Sequence, residues 1–199
     1  MKSNICKIEK GTRDLAEILK ESEQVASYNG FTTKQTLQLR LLCEELDGML
    51  PNIVDDFDGD FWIDYEDGVC KVNASVKISH FNISKKEELI SVAKNKKNAA
   101  AVGIVGKIRS VIENFFLAEE EMGAFDVASG LLYLPVGYSE CADFSYHWTL
   151  NQYKVAIQES EEKEAWDELE KSIIASLADD VIVGVKGKQA TIVIVKKFA

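Results

Sequence analysis

The sequence predicts an α+β fold, a two-layer sandwich in which a mixed, mostly antiparallel sheet is covered on one face by helices. Three observations predict it. Two turn signals, Asp67-Gly68 and Gly187, each separate a pair of runs rich in Val and Ile, the pattern of hairpin strands half buried in a sheet. Other stretches place apolar residues three and four apart, the spacing of an amphipathic helix. Strands and helices also come in groups rather than in strict alternation, which sets helices against one face of an antiparallel sheet instead of winding them around a parallel one.

The elements follow in order. A short strand comes first, over residues 4–9, where Cys6 and Ile8 alternate with Ile5 and Lys7. Thr12 then caps a helix, its hydroxyl accepting from a free amide while Asp14 favours the positive end of the dipole. Leu15, Ile18, Leu19, Val25 and Ala26 form that helix's apolar stripe, and Asn29-Gly30 ends it. A second helix starts at Thr32-Thr33. Its face of Leu39, Leu42, Cys43, Leu46, Met49, Leu50 and Ile53 is wide enough for deep burial and runs slightly past Pro51. Residues 61–65 and 69–78 flank Asp67-Gly68 as antiparallel strands, and a polar, lysine-bearing connection over 79–101 holds a helical stretch near 87–93. Residues 99–117 read as a helix in whose first part Gly103 and Gly106 each cost about 1 kcal/mol against alanine, so the pair predicts a close backbone approach. Residues 119–160, punctuated by glycine, rich in aromatics and without a clean period, read as an insertion. A helical period returns over 161–178 through Trp166, Leu169, Ile173 and Leu177, and 181–185 with 190–195 close the chain as a second hairpin.

With 46% apolar residues in 199, and only 2 prolines and 12 glycines dispersed among them, the chain reads as one domain over 1–199 with a real core and no flexible linker. Its net charge of −10 repels phosphate backbones, which argues against wholesale nucleic-acid binding. No stretch approaches the about 18 apolar residues of a membrane span, and residues 1–4 lead into a charged segment without an apolar signal core. The expectation is a cytoplasmic protein that binds no membrane. Cys6, Cys43, Cys70 and Cys141 make no CxxC pair and only His80 and His147 accompany them, so buried reduced thiols are expected and a metal site is not. The acidic run over 55–60 does not fit an EF-hand, whose glycine would fall on Phe61 and whose final glutamate on Asp67.

Several stretches share a known order. Residues 19–31, ending Ala26-Ser27-Tyr28-Asn29-Gly30-Phe31, precede a helix over 37–50 that carries Cys43-Glu44-Glu45-Leu46. Farther on stand Gly103-Ile104-Val105-Gly106-Lys107-Ile108-Arg109-Ser110, then Asp179-Asp180-Val181-Ile182-Val183 with the segment 187–197. Together they resemble the histidine-kinase-like (GHKL) ATPase superfamily, in particular the small anti-sigma-factor serine kinases of bacteria. The resemblance implies that family's fold, with 37–50 as the N-box helix and Glu44 as the carboxylate that activates a hydroxyl or water. It implies 103–110 as the helix start after the nucleotide lid, whose place 94–98 occupies. It further implies ATP with magnesium as cofactor, and a sigma factor or STAS-domain antagonist as protein partner.

Two of the family's boxes are altered. Where the family's magnesium-holding Asn belongs stands Gly48, and a turn farther, at a common His position, stands Asn52. Where the family has an Asp-x-Gly-x-Gly turn that reads adenine, Lys77-Ile78-Ser79-His80-Phe81-Asn82 contains neither Asp nor Gly. Magnesium needs hard oxygen ligands and glycine has no side-chain oxygen. Phosphoryl transfer rests on positioning and on metal-assisted charge stabilisation, so these losses strike catalysis first. Asp47, one position off, points from another side of the helix. The remaining nucleotide-binding candidates are Gly103 and Gly106, which present amides to phosphate, with charge from Lys96, Lys97 and Lys107 and with Gly48 at the family's magnesium position. The expected function is a regulatory protein with weak or lost nucleotide binding that works by binding a protein partner, for which the aromatic 119–160 stretch offers a docking place. The alternative is an active ATP-dependent serine kinase or ATPase with atypical magnesium ligands, and a third reading is a homodimer formed through the sheet or the first helix.

Overall fold

The computed structural model describes residues 1–11, 14–54, 56–78, 103–121, 146–160 and 163–198. Among them are six strands, β1 (Cys6–Glu9), β2 (Phe57–Glu66), β3 (Val69–Ile78), β4 (Tyr146–Thr149), β5 (Asp180–Lys186) and β6 (Gln189–Lys197), in one sheet of order β1-β2-β3-β6-β5-β4. The helices are α1 (Leu15–Tyr28), α2 (Thr33–Ile53), α3 (Gly103–Glu121), α4 (Leu150–Ser160), α5 (Lys163–Glu170) and α6 (Ile173–Leu177). The α+β class is as expected. The sheet differs in one respect, because all its described neighbours are antiparallel and none is parallel. The connections explain this. Two helices lie between β1 and β2 and return the chain to the end it left, whereas a single crossover helix makes parallel neighbours.

Asp14 caps α1, its carboxylate accepting from the Glu17 amide at 3.2 Å; Thr12, the expected cap, lies outside the described residues. Ile18, Val25 and Ala26 are buried as their spacing requires, but Leu15 is exposed and Glu21 takes a buried place. Asn4 makes that tolerable. Its backbone N–H and side-chain amide each donate to one Glu21 carboxylate oxygen at 3.0 Å. At the start of α2, Gln35 N donates to Thr32 Oγ1 at 3.3 Å and Thr32 N to Gln35 Oε1 at 2.9 Å, a capping box worth about 1 kcal/mol. Asp67 and Gly68, with φ of 49° and 80°, give the β2–β3 turn the left-handed pair that matches strand twist.

The chain then repeats its plan. Strand β4, helices α4 to α6 and the hairpin β5–β6 follow the order of β1, α1, α2 and β2–β3, and the strand order reads the same from either edge. Asp67 and Gly187 open the two turns in left-handed conformations, and six residues beyond each, Asn73 and Val193 face one another across the β3–β6 seam. An approximate two-fold axis passes through that pair.

The second half departs most from expectation. Residues 119–121 complete α3, and 146–160, expected inside an insertion, form the edge strand β4 and helix α4; 122–145 lie outside the described residues, as do 79–102. The single helix expected over 161–178 is two. Ser172 interrupts it, accepting from the Ala175 amide at 3.2 Å to cap α6, which lays Ile174 and Ala175 in the core.

Inward side chains of the strands, among them Phe61, Ile63, Val72, Val183 and Ile192, join the apolar faces of α2 and α3 in one core. The other sheet face carries the alternate positions. There Asp58 and Asp60 of the acidic run face Lys77 and Ser75, and Lys7 Nζ lies 2.6 Å from Asp60 Oδ1. Trp62 Nε1 donates to Asp64 Oδ2 at 2.7 Å, and Ser75 Oγ lies 3.0 Å from Thr191 Oγ1.

Candidate functional site

Helix α2 turns Leu39, Leu42, Cys43 and Leu46 inward, so at about 100° per residue Leu37, Leu41, Glu44 and Gly48 fall on the side away from the sheet. Glu44 is half-buried there and already engaged. Arg40 Nε lies 3.1 Å from its Oε1, and Arg40 Nη1 reaches Glu23 on α1 at 2.8 Å, so one guanidinium ties the two helices together. A Cβ built on Gly48 would meet none of the described residues within 4 Å. The Asn52 side-chain amide donates to the Gly48 carbonyl at 3.4 Å, while Asp47 is buried on the core side.

Helix α3 begins at Gly103, whose φ of 83° is left-handed and around which a Cβ would meet none of the described residues within 4 Å. This φ favours glycine, and among the described residues nothing makes the close approach expected at it. Gly106 is buried. Lys107 Nζ lies 4.8 Å from the Tyr153 ring centroid on α4, a cation–π contact. Arg109, two positions on and so about 200° around the helix, faces α2 instead. Its Nη1 donates to the Asn52 carbonyl at 3.2 Å and its Nε to Glu113 Oε1 at 2.8 Å. Glu44 and Gly48 thus share one face of α2, while Lys107 is turned toward α4 and away from them. Lys96 and Lys97 lie outside the described residues.

No family model, curated protein or solved structure matches this chain. None of these comparisons identifies the histidine-kinase-like ATPase superfamily.

Three exposed side chains on α1 and α2 stand outside the sequence-predicted site. Tyr28, Leu37 and Leu41 are 78%, 55% and 39% exposed. Leu37 and Leu41 are one turn apart and fall off the stripe that Leu39, Leu42 and Leu46 define, which is the signal that finds them. With Tyr28 at the end of α1, they leave apolar side chains on the outward surface of the α1–α2 hairpin, beside the Arg40–Glu44 pair.

Other chemistry is sparse. Cys6, Cys43 and Cys70 are free and buried. Burial is the main cause that pushes the Cys6 thiol up to about 11 and Cys70 up to about 12, and it holds Cys43 well above its ordinary value, so none is a ready thiolate. Among the described residues no group of three His, Cys, Asp or Glu side chains is placed to hold a metal ion, and no helix is long and apolar enough to cross a membrane.

Proposed function

We propose that the chain is a cytoplasmic regulatory protein that works by binding a protein partner through the outward surface of the α1–α2 hairpin. The exposure of Leu37 and Leu41, in one row with Glu44, carries this reading. An apolar pair facing water contributes little to the free chain, while burying each leucine against a partner is worth about 1.5–3 kcal/mol. Arg40 and Glu44 supply the polar border such an apolar centre takes. A sigma factor or STAS-domain antagonist is the partner class suggested by the resemblance. In the kinase alternative Glu44 acts as base, and its carboxylate would first have to leave Arg40.

Two measurements together test the proposal. Titration calorimetry with ATP and ADP, with and without magnesium, is expected to show no saturable heat up to millimolar nucleotide. A photo-crosslinking residue at position 41 is expected to give one discrete adduct in extracts of the producing cell, identified by mass as a sigma factor or STAS-domain protein. The adduct should be lost with Leu37→Ser and absent when the crosslinker stands at Lys77 on the opposite layer. Magnesium-dependent nucleotide binding, or the same adducts from both positions, would overturn it.

A further inference from the structure

We draw no further inference here: the strongest candidate, the sheet face opposite the described core helices, where Trp62, Ile182 and Val193 lie beside the Asn73, Ser75 and Thr191 cluster, carries nothing because nothing among the described residues shows what covers it.

Discussion

Arg40 holds Glu44 at 3.1 Å along α2 through Nε and Glu23 of α1 at 2.8 Å through Nη1. The carboxylate that the resemblance implies as a catalytic base is part of a strap between two helices. The side chains in this strap are a third to a half exposed, so solvent screens it and each ion pair is worth less than about 1 kcal/mol. Glu44→Gln is therefore expected to unfold within about 2 °C of the parent. Phosphate release from magnesium-ATP is expected to stay at background in both proteins. A measurable parental rate that the substitution abolishes would return Glu44 to a catalytic role.

Two glycines predict opposite responses to alanine. At Gly59 a Cβ would lie 2.1 Å from the Ser75 carbonyl oxygen and 2.8 Å from Val76 Cα, backbone atoms that cannot move without breaking the β2–β3 pairing. Gly59→Ala should cost about 1–3 kcal/mol, read as a drop of several degrees in thermal unfolding. At Gly48 a Cβ would meet none of the described residues within 4 Å and the helix gains an intrinsically better residue, so Gly48→Ala should stabilise by about 1 kcal/mol.

Gly48→Asn, which introduces the magnesium-holding residue that the resemblance implies at this position, separates the two functional readings. A protein-binding module is expected to show no magnesium-dependent nucleotide heat in calorimetry before or after the change. A gain of such heat in the variant would support a nucleotide site at α2.

The buried thiols predict a loss of stability in alkali. Unfolded cysteine gives up its proton near 9, whereas burial keeps Cys6 protonated to about 11 and Cys70 to about 12. Between those values the unfolded chain binds fewer protons than the folded one, so unfolding free energy falls as pH rises from about 9 toward 12 and is unaffected by these groups below 9. Urea midpoints measured across pH 8–11 check this. In a Cys141→Ser background the other three thiols should resist an alkylating reagent at pH 8 and react together once the chain is unfolded.

Leu37→Ser with Leu41→Ser should leave stability within about 0.5 kcal/mol of the parent, because neither side chain packs in the core. A fall of several degrees in the melting temperature would mean that the pair serves the fold and not a partner.

Legibility in the sequence followed local chemistry. Thr32-Thr33 announced α2, and Asp67-Gly68 announced the first hairpin, because each signal is complete within a few residues. β4 was not legible, since a four-residue edge strand is defined by its pairing with β5 and not by its own pattern. The break at Ser172 was hidden for a similar reason, as Trp166, Leu169, Ile173 and Leu177 keep a helical period across it. Glu44 was singled out by a family resemblance alone, and its orientation had to be read from Leu39, Leu42 and Leu46, which place it on the far side of the helix. Whether a motif faces a pocket depends on what packs beside it, and that information lies in other segments.

The β3–β6 seam also sets an order of assembly. Within each half, β2 meets β3 and β5 meets β6 across tight turns, contacts that close quickly because little chain must be ordered to make them. Asn73 and Val193 meet only after most of the sequence has been drawn into one loop. Nine consecutive residue pairs then form along the seam, from Val69 with Lys197 to Lys77 with Gln189. The long sequence separation across this seam predicts that zipping of the two locally closed units follows closure of the hairpins, with register at the molecular centre joining them into one sheet.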